Sequence, residues 1–184
     1  PIVIRQAHAN QGLEALTYLS ASHHFWTVTE APLAGETSQR LLQFSDSLTC
    51  SGQWRYVMDA PQTNKRRGTD VYGVSALTAL PDGRLLVLER EFFVAQHYIG
   101  SFVTCRLFLI DPLHTAEDAV LPKQLLYSWT TRLNLTTQHI ANYEGMCLGP
   151  RLPDGRQVLI LVADSQNQYK GVLKDWFKTL LLSD

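Results

Sequence analysis

The chain has 184 residues, of which 45 % are hydrophobic and 18 % are charged, and its formal net charge at pH 7 is −1. This composition is typical of a globular domain with a substantial core, and it excludes an intrinsically disordered chain. The nearly balanced charge gives no overall attraction to nucleic acid, and no apolar run is long enough to predict a membrane span. The basic cluster at residues 65–67 lies in a polar stretch that we interpret as a solvated loop.

The first predicted hairpin lies at residues 12–30. A strand that begins at Gly12 leads to a turn-like segment at 20–23, and a second strand rich in aromatic and β-branched residues follows at 25–30. With the hairpin centred on Ser22, Glu14 and Glu30 are expected to lie directly opposite each other.

Two later hairpins are marked by the sequence Pro-Asp-Gly-Arg, which occurs at residues 81–84 and again at 153–156. Proline presets φ for a type I turn and glycine takes the left-handed position after it, so each copy predicts a three-residue loop with a fixed register. In that register Ser75 faces Glu89, and Glu144 faces Asp164.

The remaining segments complete a strand-rich chain. Strands are predicted at 54–58 and 102–110, and loops at 62–70 and 111–123, the second as a connection between sheets. Residues 170–182 fit either a short amphipathic helix or a closing strand.

The openings of the three hairpins are similar, and they are spaced like a structural repeat. Ser75 follows Glu14 by 61 residues, and Glu144 follows Ser75 by 69. Repeats of this size suggest propeller blades with insertions. We therefore predict an all-β fold, a β-propeller that forms a partial ring of about three to four blades, each a four-stranded antiparallel sheet. Residues 1–184 would form one domain. Because the chain starts at Pro1 and a propeller has at least four blades, we expect N-terminal blades to be missing, and open blade edges to allow self-association.

The prediction of a metal site rests on acidic residues that are expected to lie opposite each other. Two carboxylates opposite each other on a sheet are destabilising unless a shared proton, a neighbouring Arg or Lys, or a bound cation compensates them. If the two acid pairs converge at a propeller axis, Glu14, Glu30, Glu144 and Asp164 would favour a hard divalent ion, most plausibly calcium. Alternatively, these acids only cap strand ends and face water.

Three further residues are candidates for contact with a ligand. Asn142 lies two residues before Glu144 on the same strand face, so its amide oxygen can complete a cation shell. Ser75 is the uncharged counterpart of the acids in the other hairpins. Arg90 can orient a phosphate or carboxylate through two hydrogen bonds, or it can simply pair with Glu89 or Glu91.

The cysteines and histidines give no metal signature. Cys50, Cys105 and Cys147 form no CxxC pattern, and Cys105 and Cys147 lie in apolar strands, where we expect them to be buried. The disulfide state stays open. No HExxH motif is present, and the six histidines lack ligand spacing.

Taken in order, six stretches resemble the phytase-like family, described as esterase-like activity of phytase. They are residues 10–16, 29–33, 73–77, 82–90, 142–146 and 161–167. The resemblance implies a β-propeller that is exported to the periplasm or outside the cell and that hydrolyses phosphoric esters.

The resulting hypothesis is a calcium-dependent phosphoester hydrolase that acts on a small molecule. Catalytic roles fall to Glu144, Glu89 and Arg90, substrate binding to Arg90, Ser75 and Asn142, and metal binding to the four acids named above. Two alternatives stay open: a non-catalytic propeller that binds a ligand or protein partner, and a lactonase-like metal hydrolase.

Overall fold

The computed structural model describes residues 12–62, 68–136, 140–167 and 171–183, and these residues form an all-β protein. The basic cluster at 65–67 lies outside them. No helix among the described residues is long and apolar enough to cross a bilayer. The strands are β1 (Leu13–Leu19), β2 (His24–Thr29), β3 (Gln39–Ser45), β4 (Cys50–Tyr56), β5 (Gly68–Ala79), β6 (Leu85–Ala95), β7 (Phe102–Ile110), β8 (Lys123–Arg132), β9 (Tyr143–Arg151), β10 (Gln157–Ala163) and β11 (Phe177–Leu182).

The strands form three antiparallel sheets in which each strand pairs with its neighbours in the chain. The first sheet has the order β1-β2-β3-β4, the second β5-β6-β7-β8, and the third, with three strands, β11-β10-β9. The prediction of four strands per sheet is confirmed for the first two sheets. Of the two alternatives for residues 170–182, the structure has the strand, β11.

Both Pro-Asp-Gly loops have the predicted geometry. Gly83 and Gly155 have φ of 93° and 89°, the left-handed conformation in which glycine is favoured. The amide of Gly83 donates to the carbonyl of Leu80 (3.0 Å), and the amide of Gly155 to that of Leu152 (2.9 Å). Ala79 pairs with Leu85, as the predicted register requires. These turns fix the first pairs of each hairpin.

The two inner strands of the second sheet, β6 and β7, are buried on both faces over most of their length, and this accounts for their continuous apolar runs. Successive side chains of a strand point to opposite faces. Leu85 and Val87 therefore join a core shared with the first sheet, which includes Trp26, whereas Leu86 and Leu88 join a core shared with the third sheet. Strand β5 contacts both β1 and β9, so the first strands of the three sheets lie side by side.

The sequence predicted that the segment at 111–123 connects two sheets, but in the structure it does not. It joins β7 to β8 within the second sheet and lies along the outer edge of β4. Arg55 donates its amide to the carbonyl of Ala119 and accepts from the amide of Leu121, both at 2.9 Å. Part of an exposed strand edge is thus covered by the chain itself. The loop predicted at 62–70 is also too long, because β5 begins at Gly68.

The three cysteines are free, and one of them differs from the prediction. Cys105 is buried, and burial raises the pKa of its thiol to about 12. Cys147 is exposed, although it lies in an apolar strand. It is on the face of the third sheet that points away from the second sheet, which the sequence pattern cannot distinguish from a core face.

Candidate functional site

A β-bulge occurs at the same place in the first strand of each sheet. The register shifts between Leu13 and Ala15 in β1, between Val74 and Ala76 in β5, and where β9 passes from Gly145 to Tyr143. The residues left without a cross-strand partner are Glu14, Ser75 and Glu144, the three that the repeat had aligned. A bulge turns a side chain away from the regular alternation, and bulges are frequent next to functional sites.

The predicted direct pairs are therefore wrong. The bulge removes Glu14, Ser75 and Glu144 from the ladder, so they do not face Glu30, Glu89 and Asp164. Instead, the amide of Glu30 donates to the carbonyl of Gly12 and that of Asp164 to the carbonyl of Asn142, each at 2.9 Å. A three-residue loop determines only the register of the cross-strand pairs next to it. A bulge further along the strand shifts the register of the remaining pairs.

The bulges open into a cavity of about 600 Å³ between the sheets. It brings together five of the predicted site residues, which are Glu14, Glu30, Ser75, Arg90 and Glu144. The rest of the lining among the described residues consists of Thr69, Val71, Phe92, Val94 and Gln166. This volume is within the range of small-molecule sites.

Arg90 is the centre of the polar network in the cavity. Its side chain is only 6 % exposed. Nη2 donates to Glu30 Oε1 (2.8 Å), and Nη1 donates to Glu144 Oε1 (2.5 Å) and to Asn142 Oδ1 (3.0 Å). A guanidinium has five N–H groups, and the Nε–H has no acceptor among the described residues. A shared proton, a neighbouring Arg or Lys, or a bound cation could compensate the acids. The structure has the neighbouring arginine.

Asn142 orients this network from behind. It is fully buried and does not line the cavity. Its Oδ1 accepts from Arg90, and its Nδ2 donates to Glu144 Oε1 (2.8 Å). Direct binding of substrate by Asn142, as predicted from the sequence, does not fit this position. Asn142 fixes Arg90 and Glu144 relative to each other.

Glu30 lies close to the backbone of β5, and a glycine makes this possible. A Cβ on Gly73 would lie 2.4 Å from Glu30 Cγ, and the carbonyl of Glu30 accepts from the amide of Val74 at 3.2 Å. Burial raises the pKa of the Glu30 carboxyl, Arg90 opposes this, and the charges of Glu14 and Glu144 raise it further. A carboxyl with a raised pKa in a cavity can hold and donate a proton.

Glu89, predicted as catalytic, lies on the opposite face of β6 from Arg90. It is 1 % exposed, between the first and second sheets. Its Oε1 accepts from Tyr56 Oη (2.8 Å) and Lys123 Nζ (2.5 Å), and its Oε2 lies 3.9 Å from Arg106 Nη1. Glu89 does not line the cavity. Alternation along the strand places it in a buried ion cluster that joins two sheets, so a catalytic role is not compatible with its position.

Asp164 lies away from the cavity, and Ser75 lies in its wall. Asp164 is exposed, does not line the cavity, and accepts the amide of Gln166 at 2.7 Å, a local turn contact. Ser75 lines the cavity but is largely buried, with its hydroxyl 3.4 Å from the carbonyl of Leu88.

Comparison with known families identifies the chain. The family model for phytase-like proteins, described as esterase-like activity of phytase, matches residues 3–166. The chain belongs to the phytase-like family. The match covers the first two sheets and the hairpin β9–β10. No curated protein and no solved structure gives a match. Membership of this family suggests a hydrolase that acts on phosphoesters.

The acids of this phytase-like protein do not fit the predicted four-carboxylate calcium site. Among the described residues, no three His, Cys, Asp or Glu side chains form a group that could hold a metal ion. Glu30 and Glu144 are already paired with Arg90, whose positive charge opposes a cation at the same place. Asp164 lies outside the cavity and accepts the amide of Gln166 instead. Calcium binding stays a prediction, for which a different arrangement of these residues would be needed.

The sequence prediction missed the wall of the cavity. Val71 and Phe92 are cross-strand partners, as are Thr69 and Val94, in an extension of the β5–β6 hairpin beyond Gly73. A signal was present, because β-branched and aromatic residues occur at 71–72 and again at 92–94, on the two sides of the Pro-Asp-Gly loop. The register of the Pro-Asp-Gly loop, carried further, would have indicated these pairs to within one residue.

Proposed function

We propose that this chain is a phosphoester hydrolase whose reaction centre is formed by Glu30, Arg90 and Glu144. The observation that carries the proposal is the position of two carboxylates at the two terminal nitrogens of one guanidinium, at the wall of a small-molecule cavity. Hydrolysis of a phosphoester needs a cation for the phosphoryl oxygens, an acceptor for the proton of water and a donor for the leaving oxygen. These three side chains can supply each of them.

Arg90 would bind the phosphoryl group. Glu30, Asn142 and Glu144 accept three of its five N–H groups, and Nε–H is buried away from the cavity. The second proton of Nη2 would therefore bind a phosphate oxygen, and this bond would be strong because both partners are charged.

The two carboxylates would move the protons. Glu144 is the more exposed, with 33 % of its side chain accessible, and would accept a proton from the attacking water as the new P–O bond forms. Glu30, whose pKa is raised by burial, would give its proton to the alcohol oxygen as the ester P–O bond breaks. One proton is taken up and one released, so a second proton transfer between the carboxylates and solvent restores the enzyme.

The fold that we propose for this site is a β-propeller, with the three sheets as consecutive blades. Two observations support it. The inner strands of the second sheet are covered on both faces by the neighbouring sheets, and β1, β5 and β9 lie side by side. In a propeller the first strand of each blade lies next to the central axis, which would place the bulge residues Glu14, Ser75 and Glu144 around that axis.

The test is the hydrolysis of para-nitrophenyl phosphate by the wild type, Glu144→Gln and Glu36→Gln, with calcium and with a chelator. We expect Glu144→Gln to lower kcat/KM by roughly 10²–10⁴-fold, the usual contribution of a general base. Glu36 is the matched control, because it pairs with Arg40 at 2.8 Å but does not line the cavity. Loss of activity with the chelator would show that a metal is required.

Two results would favour the alternatives. Turnover of a lactone but of no phosphate ester would indicate the lactonase-like hydrolase. Ligand binding without any turnover, with or without calcium, would indicate a binding module and would refute the proposed reaction.

A further inference from the structure

One wall of the cavity is apolar, and it continues in line from Arg90. Residues 90, 92 and 94 of β6 share a face, so Phe92 and Val94 lie about 7 Å and about 13 Å from Arg90 along the strand. Val71 pairs with Phe92 across the ribbon and is 40 % exposed. An apolar strip of this length next to a phosphate-binding group matches an aromatic ring or a short alkyl chain.

From this apolar strip we infer that the cavity takes phosphoesters of an apolar alcohol, with an aryl or short alkyl group lying along Phe92, Val94 and Val71. This inference rests on the proposed function for the position of the phosphate. The volume of about 600 Å³ accommodates a phosphate together with an aryl or short alkyl group.

Binding of non-hydrolysable analogues tests the inference independently of turnover. The probes are phenylphosphonate and methylphosphonate, titrated calorimetrically into the wild type with and without calcium. We expect phenylphosphonate to bind about tenfold or more tightly than methylphosphonate, since a hydrophobic pocket gives selectivity of this order.

Val71→Thr distinguishes the apolar strip from the rest of the cavity. It keeps a β-branched side chain at an exposed strand position, so the fold is retained, but it replaces a methyl group by a hydroxyl. We expect the ratio of the phenylphosphonate and methylphosphonate affinities to fall several-fold. Val162→Thr is the matched control, because Val162 is 39 % exposed in β10 and does not line the cavity.

Three results would overturn the inference: equal affinity for the two phosphonates, an unchanged ratio in Val71→Thr, or no binding of either probe. The proposed function has a separate readout. If phenylphosphonate binds as expected but phenyl phosphate is not hydrolysed, the ligand class stands and the catalytic proposal fails.

Discussion

Gly73→Ala should damage the site while leaving the protein folded. An ideal Cβ at residue 73 lies 2.4 Å from Glu30 Cγ, 2.9 Å from the Glu30 carbonyl oxygen and 3.2 Å from Cδ. Non-bonded carbon atoms prefer about 3.5–4.0 Å, so Glu30 has to move by about 1 Å. The backbone of Glu30 cannot follow freely, because its carbonyl accepts from Val74. The side chain must therefore turn away from Arg90.

The expected loss of activity is large although the protein stays folded. The lost contact is a hydrogen bond to a charged group, typically about 1.5–3 kcal/mol, and overpacking costs a similar amount. Together they lower the free energy of unfolding by roughly 3–6 kcal/mol, which is less than the total for most of the ordinary range of about 5–15 kcal/mol. A displacement of 1 Å in a reacting group, however, can lower the rate by about 10²-fold.

The assay is kcat/KM for para-nitrophenyl phosphate, measured together with urea unfolding. Gly12→Ala is the control, because Gly12 occupies the corresponding place just before β1 and a Cβ there meets none of the described atoms within 4 Å. We expect Gly12→Ala to retain activity and Gly73→Ala to lose about 100-fold. Full activity in Gly73→Ala with a normal fold would refute the role assigned to Glu30.

Three further predictions address the other charged groups. Arg90→Lys, which keeps the charge but not the planar fork, should lower kcat/KM by at least about tenfold, because a single ammonium cannot replace the several contacts of the guanidinium; wild-type kinetics would argue against phosphate binding by Arg90. Glu30 must be protonated to act as an acid and its pKa is raised, so activity should fall as pH rises through a value above about 4.3, the ordinary pKa of glutamic acid. In Glu30→Gln this alkaline decline should be absent from the pH–rate profile, and its persistence would assign the decline to another group. Glu89→Gln should lower the free energy of unfolding by about 3 kcal/mol, since it leaves the charge of Lys123 without its buried partner. At a temperature where the variant is folded, its kcat should equal the wild-type value. A large loss of kcat would instead support a catalytic role for Glu89.

Much of the fold could be predicted because short-range rules determine it. Pro-Asp-Gly specifies a turn, the turn specifies the nearest cross-strand pairs, and the alternation of side chains identifies the buried faces. The repeat of the three openings also predicted which residues enter the site, since Glu14, Ser75 and Glu144 all lie at the bulges and all line the cavity.

The errors arose where distant parts of the chain meet. Nothing near Glu89 in the sequence indicates that Lys123 will lie beside it. Yet this ion pair is what identifies Glu89 as a structural carboxylate. Nor does the sequence show that the segment at 111–123 returns to the edge of β4. Calcium binding, self-association through strand edges and export stay predictions.

The three hairpins have an equivalent position that is acidic in the first and third hairpins and basic in the second. This difference in charge determines the polar network of the site. Just beyond the bulge, Glu30 lies opposite Gly12, Arg90 opposite Gly73, and Asp164 opposite Asn142. An acid in the second sheet would have met Glu30 from the first sheet and Glu144 from the third, and a buried group of like charges is unfavourable without a cation. With Arg90 there, the cation is part of the protein and is held by both neighbours. A repeat in sequence therefore predicts where side chains converge, but the charge at each copy decides whether they form a metal site or an ion-paired reaction centre.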